Sequence, residues 1–227
     1  MSVYGVSQIA KQHCYYLIFL CLSACSFSNK TSFDQTSDTQ FIPVVENPAY
    51  TPLSGPVVYI DEYHHNFHTA QERYKPFADL LKKDGYQVKP FRSEFSETTL
   101  ATIDILVIAN ALAPQNKAFN NWVLPTYPAF TATEVDAVYA WVENGGALLF
   151  IADHMPFPGA AKPLADRFGI LFHDGYALDP NDNGFLTFQN QGFAQQHPIA
   201  KGRNSKETIK SAMSFSGQGF RFKAGIA

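Results

Sequence analysis

TATEVDAVYAWVENGGALLFIAD, Thr131–Asp153, decides the fold. Thr131 and Glu134 stand in a capping-box pattern, a hydroxyl and a carboxylate spaced to satisfy the free amides of a helix start. Val135, Val138, Tyr139 and Val142 recur at helical spacing and predict one buried stripe. Asn144-Gly145-Gly146 stops the helix, and ALLFIAD follows at once as an apolar run ending in an acid. A helix feeding through a tight turn into an apolar strand is half of a crossover unit. Such units build parallel sheets covered on both faces.

The same pattern recurs upstream. VVYID (Val57–Asp61), QVKPF (Gln87–Phe91) and DILVIAN (Asp104–Asn110) read as three further strands. Between the first two, YKPFADLLKKDGY places Pro76 in a first helical turn, Phe77, Leu80 and Leu81 on one face, and Gly85 at the stop. Ser96–Leu100 predicts a brief helix. KPLADRFG, after the fourth strand, echoes KPFADLL, with Lys-Pro opening a helix and a glycine closing it. Crossovers are right-handed. The expected fold is therefore α/β, a flavodoxin-like three-layer sandwich with a mainly parallel sheet in order 2-1-3-4. Beyond Gly169, ILFHDG, FLTFQN and AMSFSGQGFRF predict shorter strands or hairpins in a less regular, β-rich C-terminal segment. The last of these reaches the chain's end without a terminating element, so the domain, residues 57–227, reads as cut short.

In open parallel sheets ligands bind outside the carboxyl ends of the strands, where the strand order reverses. With order 2-1-3-4 those ends are Asp61, Asn110 and Asp153-His154. The first carries YIDEYHHNFHT, Tyr59–Thr69, dense in acids and histidines. Two polar elements far apart in sequence thus converge on one edge. Asp61, His64, His65, Asp153 and His154 are the candidate catalytic set, an acid orienting an imidazole as general base. His64, Asp153 and His154 are the candidate ligands of a divalent metal such as zinc. Asn66, Arg73 and Asn110 are candidate polar contacts for a bound ligand, with Tyr63, Phe67, Trp122 or Phe157 stacking on it. Adjacent His64 and His65 cannot both enter one site unless the backbone bends between them. HEXXH, CXXC and GXSXG patterns are absent, and Gly145-Gly146 ends a helix where a phosphate loop would open one.

The net charge of −3 and the lack of any Lys/Arg cluster argue against nucleic acid as a partner. The N-terminus points instead to a membrane. Lys11 and His13 precede YYLIFLCLSA, too short to span a bilayer, and Leu22-Ser23-Ala24-Cys25 resembles the lipobox of bacterial lipoproteins. That resemblance implies a signal peptide over residues 1–24, a lipid on Cys25, and a membrane partner through that lipid. Ser26 in place of Asp implies sorting to the outer membrane, facing the periplasm. All three cysteines (Cys14, Cys21 and Cys25) lie in this leader, so the domain itself carries no thiol. The following SFSNKTSFDQTSDTQ is poor in aliphatics and reads as a tether, continued in extended form through Pro43, Pro48, Pro52 and Pro56, over residues 25–56.

YIDEYHHNFHT, LLKKDGY and WVENGGALLFIADHMPF together resemble a branch of the class I glutamine-amidotransferase-like superfamily. This branch is shared by bacterial gliding-motility and eukaryotic intraflagellar-transport proteins. The likeness spans about Val57–Tyr176 and implies a flavodoxin-like sandwich acting as a binding or assembly module. Amidotransferases of the wider superfamily carry a Cys nucleophile at a strand-to-helix elbow, which this domain lacks, so glutaminase activity is not expected. The expectation is a lipid-anchored envelope protein binding a polar ligand, a glycan or peptide, at the strand ends. The alternative is a metal-assisted or acid/base hydrolase.

Overall fold

The computed structural model describes residues 36–117, 124–189, 192 and 194–224. Four strands, β1 (Val57–Asp61), β2 (Gln87–Phe91), β3 (Ile105–Ala109) and β4 (Ala147–Ile151), form one all-parallel sheet in order β2-β1-β3-β4. The expected order is the observed one. Register pairs Val58 with Val88 and Ile105, and Ile105 with Ala147, so apolar residues face apolar residues across the sheet. Pro90 cannot donate to a ladder and sits in β2, an edge strand, where that loss is tolerated.

Alternation along β3 divides the core. Leu106 and Ile108 point to one face and pack with Phe91, Phe95, Val138 and Leu164. Val107 points to the other, with Val58, Ile60, Ala70 and Ala78. Leu106 and Ile108 are fully buried, which stabilises the fold by about 1.5–3 kcal/mol each. The second face is covered by α1 (Lys75–Lys83), opened by Pro76 as expected. Its buried residue is Ala78, flanked by half-buried Phe77 and Leu81, while Leu80, expected on the same face, is 40% exposed.

On the first face lie α2 (Glu97–Leu100), α3 (Ala132–Glu143) and α4 (Phe157–Arg167). The α3 capping box is present with both hydrogen bonds. Gly145 ends the helix region at φ +101°, and a side chain at Gly146 would lie 2.2 Å from the Trp141 ring, so the turn into β4 requires both glycines. Helix α4 begins earlier than the echo of KPFADLL suggests. Pro158 occupies its first turn, and Pro163 falls inside it. A proline N1 signal was therefore present twice, and the upstream one governs.

After α4 the chain makes β5 (Ile170–Phe172), β6 (Leu186–Gln189), a short helix α5 (Pro198–Lys201), β7 (Ser211–Ser214) and β8 (Phe220–Phe222). β5 pairs antiparallel with β8, and β6 with β7. Residues 36–56 lack regular structure, in keeping with their prolines, yet are held on the domain. The amide of Ala49 donates to Asp84 Oδ1 at 2.8 Å, and Tyr50 packs edge-on against Tyr86 at 5.1 Å. Among the described residues no helix is long and apolar enough to cross a membrane. Cys25 and the leader lie outside the described residues.

Candidate functional site

The carboxyl ends of β1, β3 and β4 do meet, and Asn110 is what joins them. Directly after β3 it adopts φ +54°, a left-handed conformation that asparagine tolerates better than most residues. Its main-chain N–H donates to Ile151 O and its carbonyl accepts from Phe67 N, both at 2.9 Å. Its side-chain Nδ2 donates to Asp153 Oδ2 at 2.9 Å, and its Oδ1 accepts from Asp153 N at 3.1 Å. One fully buried residue, through its main-chain carbonyl and its side-chain amide, thereby ties the loop after β1 to the end of β4.

The candidate residues divide into two groups. The inner group is Asp61, His64 and Glu134. Asp61 ends β1 with no exposure, and both its carboxylate oxygens lie within 3.1 Å of His64 Nδ1. On the other side His64 Nε2 is 2.9 Å from Glu134 Oε1. Glu134 Oε1 also accepts from Phe95 N, and its Oε2 accepts from the Thr131 N–H and hydroxyl. The imidazole lies between the rings of Phe95 and Phe130, 4.5 and 4.8 Å away, and is 5% exposed. Burial alone would discharge His64, but the hydrogen bonds and negative charge of Asp61 and Glu134 outweigh it and raise its pKa. Burial likewise works against the Glu134 charge, yet the Thr131 and His64 hydrogen bonds win and lower its pKa. The result is a buried imidazolium donating to two carboxylates.

The outer group gathers around Asp153 and His154. His154 N donates to Asp153 Oδ1 at 2.6 Å, its Nδ1 lies 2.8 Å from Met155 O, and its ring stacks on Tyr176 at 4.8 Å. Phe157 packs beside it at 5.7 Å and meets Phe67 at 5.5 Å. His68 stacks on Tyr74 at 4.5 Å, and its Nδ1 is buried without a hydrogen-bond partner among the described residues. Burial pushes His68 down to about 4, so it is neutral at pH 7. Burial, then the Asp153 charge, pushes Tyr74 up to about 12, and the same two causes raise Tyr176. Gln218 braces this group from the C-terminal segment. Its Nε2 donates to Ala152 O at 3.3 Å and its Oε1 accepts from His173 N at 2.9 Å.

The candidate metal set is not assembled. Both ring nitrogens of His64 are engaged by Asp61 and Glu134, and among the described residues no group of three His, Cys, Asp or Glu is placed to hold an ion. Asp61, His64 and Asp153-His154 share a sheet edge but belong to separate hydrogen-bond groups. His65, at φ +47°, is the bend that lets its neighbour turn inward while it remains exposed. Asn66 donates to Ala109 O at 3.4 Å, and Arg73 lies over the Phe67 ring at 3.9 Å. Trp122 falls outside the described residues. Tyr63 is 42% exposed with its hydroxyl 3.2 Å from Glu94. Sequence reading missed Glu134 as a partner of His64, and Tyr74, Tyr176 and Gln218 altogether. Only Glu134 carried a signal, and it spoke for the helix cap.

Together these features define a flavodoxin-like α/β sandwich with a polar, aromatic-rimmed edge at its strand ends. No protein-family model matches the chain, and no curated protein sequence matches it. Among solved structures it is similar to the mmIFT52 N-terminal domain, with TM-score 0.54 and 11% identity over 74% of this chain and 69% of that one. It is also similar to a ThuA-like protein from Bacteroides uniformis, with TM-score 0.43 and 14% identity over 80% of this chain and 64% of that one. At such identities the first likeness speaks for the fold alone, and the second is too loose to build on. The intraflagellar-transport likeness expected from sequence thus holds at the level of architecture.

Proposed function

We propose that this chain is a lipid-anchored cell-envelope protein of the amidotransferase-like superfamily that binds a polar ligand, a glycan or peptide, at the strand ends. It has no glutaminase activity, since its three cysteines all precede Ser26. The observation that carries the reading is Tyr176. It is 49% exposed, stacks on His154, and lies within the field of the Asp153 carboxylate. An exposed ring beside a fixed hydrogen-bond acceptor is what recognition of a polar ligand requires. Anchoring would be through Cys25 at the outer membrane, with the domain in the periplasm.

Glycan and peptide arrays probed with the full chain test this reading. Binding that is lost in Asp153→Asn and Tyr176→Ala supports it, and binding indifferent to both sinks it. A fatty-acid probe tests the anchor, since incorporation surviving Cys25→Ser excludes that residue as the lipid site.

A hydrolase is the second reading, favoured by the His154 imidazole, whose Nε2 stands 3.9 Å from Asp153 Oδ1 while its Nδ1 is held by Met155 O. Its acid/base form rests on that pair, because Asp61 and His64 are sealed and fully bonded. Its metal-assisted form lacks an assembled ligand set among the described residues. Turnover of any array ligand, abolished by Asp153→Ala without loss of binding, would establish it over simple binding.

A further inference from the structure

Two consecutive histidines on the loop after β1 serve opposite sides of it. The left-handed backbone at His65, a conformation side-chain-bearing residues rarely adopt, sends His64 inward to Asp61 and leaves His65 exposed. His65 lines a cavity of about 260 Å³ with Asn66, Glu72, Arg73, Leu112 and Lys117. Sites for whole small molecules run from about 300 to 1,000 Å³. This one suits a single residue of a larger ligand.

Its charge is cationic and partly fixed in place. The Arg73 guanidinium carbon sits 3.9 Å from the centre of the Phe67 ring, with Nη1 donating to Phe67 O at 3.3 Å. Lys117 stands close enough to His65 that its charge, after burial, lowers the imidazole pKa. His65 is therefore neutral at pH 7 and acts as a hydrogen-bond partner, leaving Arg73 and Lys117 as the cations. Glu72 opposes them from the same lining, and its Oε2 accepts from the Thr69 hydroxyl at 3.2 Å. Asn66 offers an anion no donor, since its Nδ2 donates to Ala109 O at 3.4 Å; its buried Oδ1, without a hydrogen-bond partner among the described residues, is an acceptor suited to a ligand hydroxyl.

The pocket connects to the outer group through packed rings: Arg73 lies over Phe67, Phe67 meets Phe157 at 5.5 Å, and Phe157 packs beside His154 at 5.7 Å. We propose that this pocket is an anion subsite and takes the carboxylate of an acidic sugar, so that the ligand is a carboxylated glycan. A sugar is favoured over a peptide because an exposed ring beside a carboxylate acceptor suits a flat face edged with hydroxyls. This rests on the strand-end binding reading and narrows it.

The test is calorimetric binding of three probes to the full chain: a glucuronate-terminated disaccharide, its glucose-terminated counterpart, and a dipeptide with a free carboxylate. The acidic disaccharide is expected to bind about tenfold tighter than the neutral one, the worth of one charge-assisted hydrogen bond. The preference should vanish in Arg73→Gln/Lys117→Gln and persist in Arg73→Lys, which keeps the charge. Equal binding of both disaccharides, a preference surviving the double variant, or tighter binding of the dipeptide would each overturn the proposal. Asp153→Asn separates the two readings. If it abolishes binding of both sugars while Arg73→Gln/Lys117→Gln leaves their ratio unchanged, the cleft stands and the anion subsite falls. If Asp153→Asn changes nothing but the double variant erases the acid preference, the subsite stands and the cleft reading falls.

Discussion

Replacing His64 by alanine exposes what the inner group is worth. The substitution leaves Asp61, with no exposure, and Glu134, 6% exposed, as two carboxylates without the cation between them, and opens a gap between Phe95 and Phe130. Removing one partner of a buried ion pair costs about 3–5 kcal/mol. For a domain of this size each kcal/mol lowers Tm by about 2–4 °C, so a fall of about 6–20 °C is expected. The pH dependence gives a sharper test. The His64 pKa is raised from its ordinary 6.5, so its contribution is fully present below about pH 6.5 and fades as pH rises through the raised value. A neutral imidazole has one N–H for two carboxylates. The Glu134 pKa is lowered from 4.5, so its contribution is present above about pH 4.5 and fades as pH falls through the lowered value. The stability gap between wild type and His64→Ala should therefore be widest between about pH 4.5 and 6.5 and narrow toward pH 9. Urea unfolding followed by far-ultraviolet circular dichroism across this range measures it. A gap below about 1 kcal/mol at pH 6, or one that widens toward pH 9, would refute the buried imidazolium.

Three further outcomes follow from the same structure. Gly85 has φ +95°, and an added Cβ would lie 2.4 Å from Tyr50 O, so Gly85→Ala should cost more than about 1 kcal/mol. Gly219→Ala, which meets nothing within 4 Å, should be near neutral by the same urea titration. His68 should keep a neutral ring in a proton NMR titration from pH 8 down to 5, with its midpoint near the depressed value of about 4. A midpoint near 6.5 would place it in solvent. Gln218→Ala removes the brace on Ala152 and His173, and should weaken ligand binding several-fold with little change in fold, whereas Gln218→Glu should retain the bond to the His173 amide alone.

The parallel sheet was legible because its signals are local. Each strand is an apolar run, each crossover carries its own cap and stop, and strand order follows from the architecture those units impose. The α4 start was misjudged because two prolines satisfied the same first-turn rule and sequence ranks neither. The site was half legible. Asp61, Asn110 and Asp153-His154 were found because strand ends are marked by where apolar runs stop. Glu134 was visible only as a cap, since its second role depends on a contact across seventy residues of chain to His64. Tyr176 and Gln218 come from the segment whose periodicity is weakest. Their placement depends on β5 pairing with β8, a long-range choice that no local pattern announces.

Asn110 carries a consequence for anyone re-engineering the domain. Because its own main chain and amide hold the β1 loop and the end of β4 in register, the rim residues are relieved of that duty. Lys117 and Tyr176 reach the surface from a frame that does not depend on their side chains. The specificity of such a protein can be rewritten at its rim, in a library of a few positions, while Asn110 and Asp153 are kept as the fixed chassis.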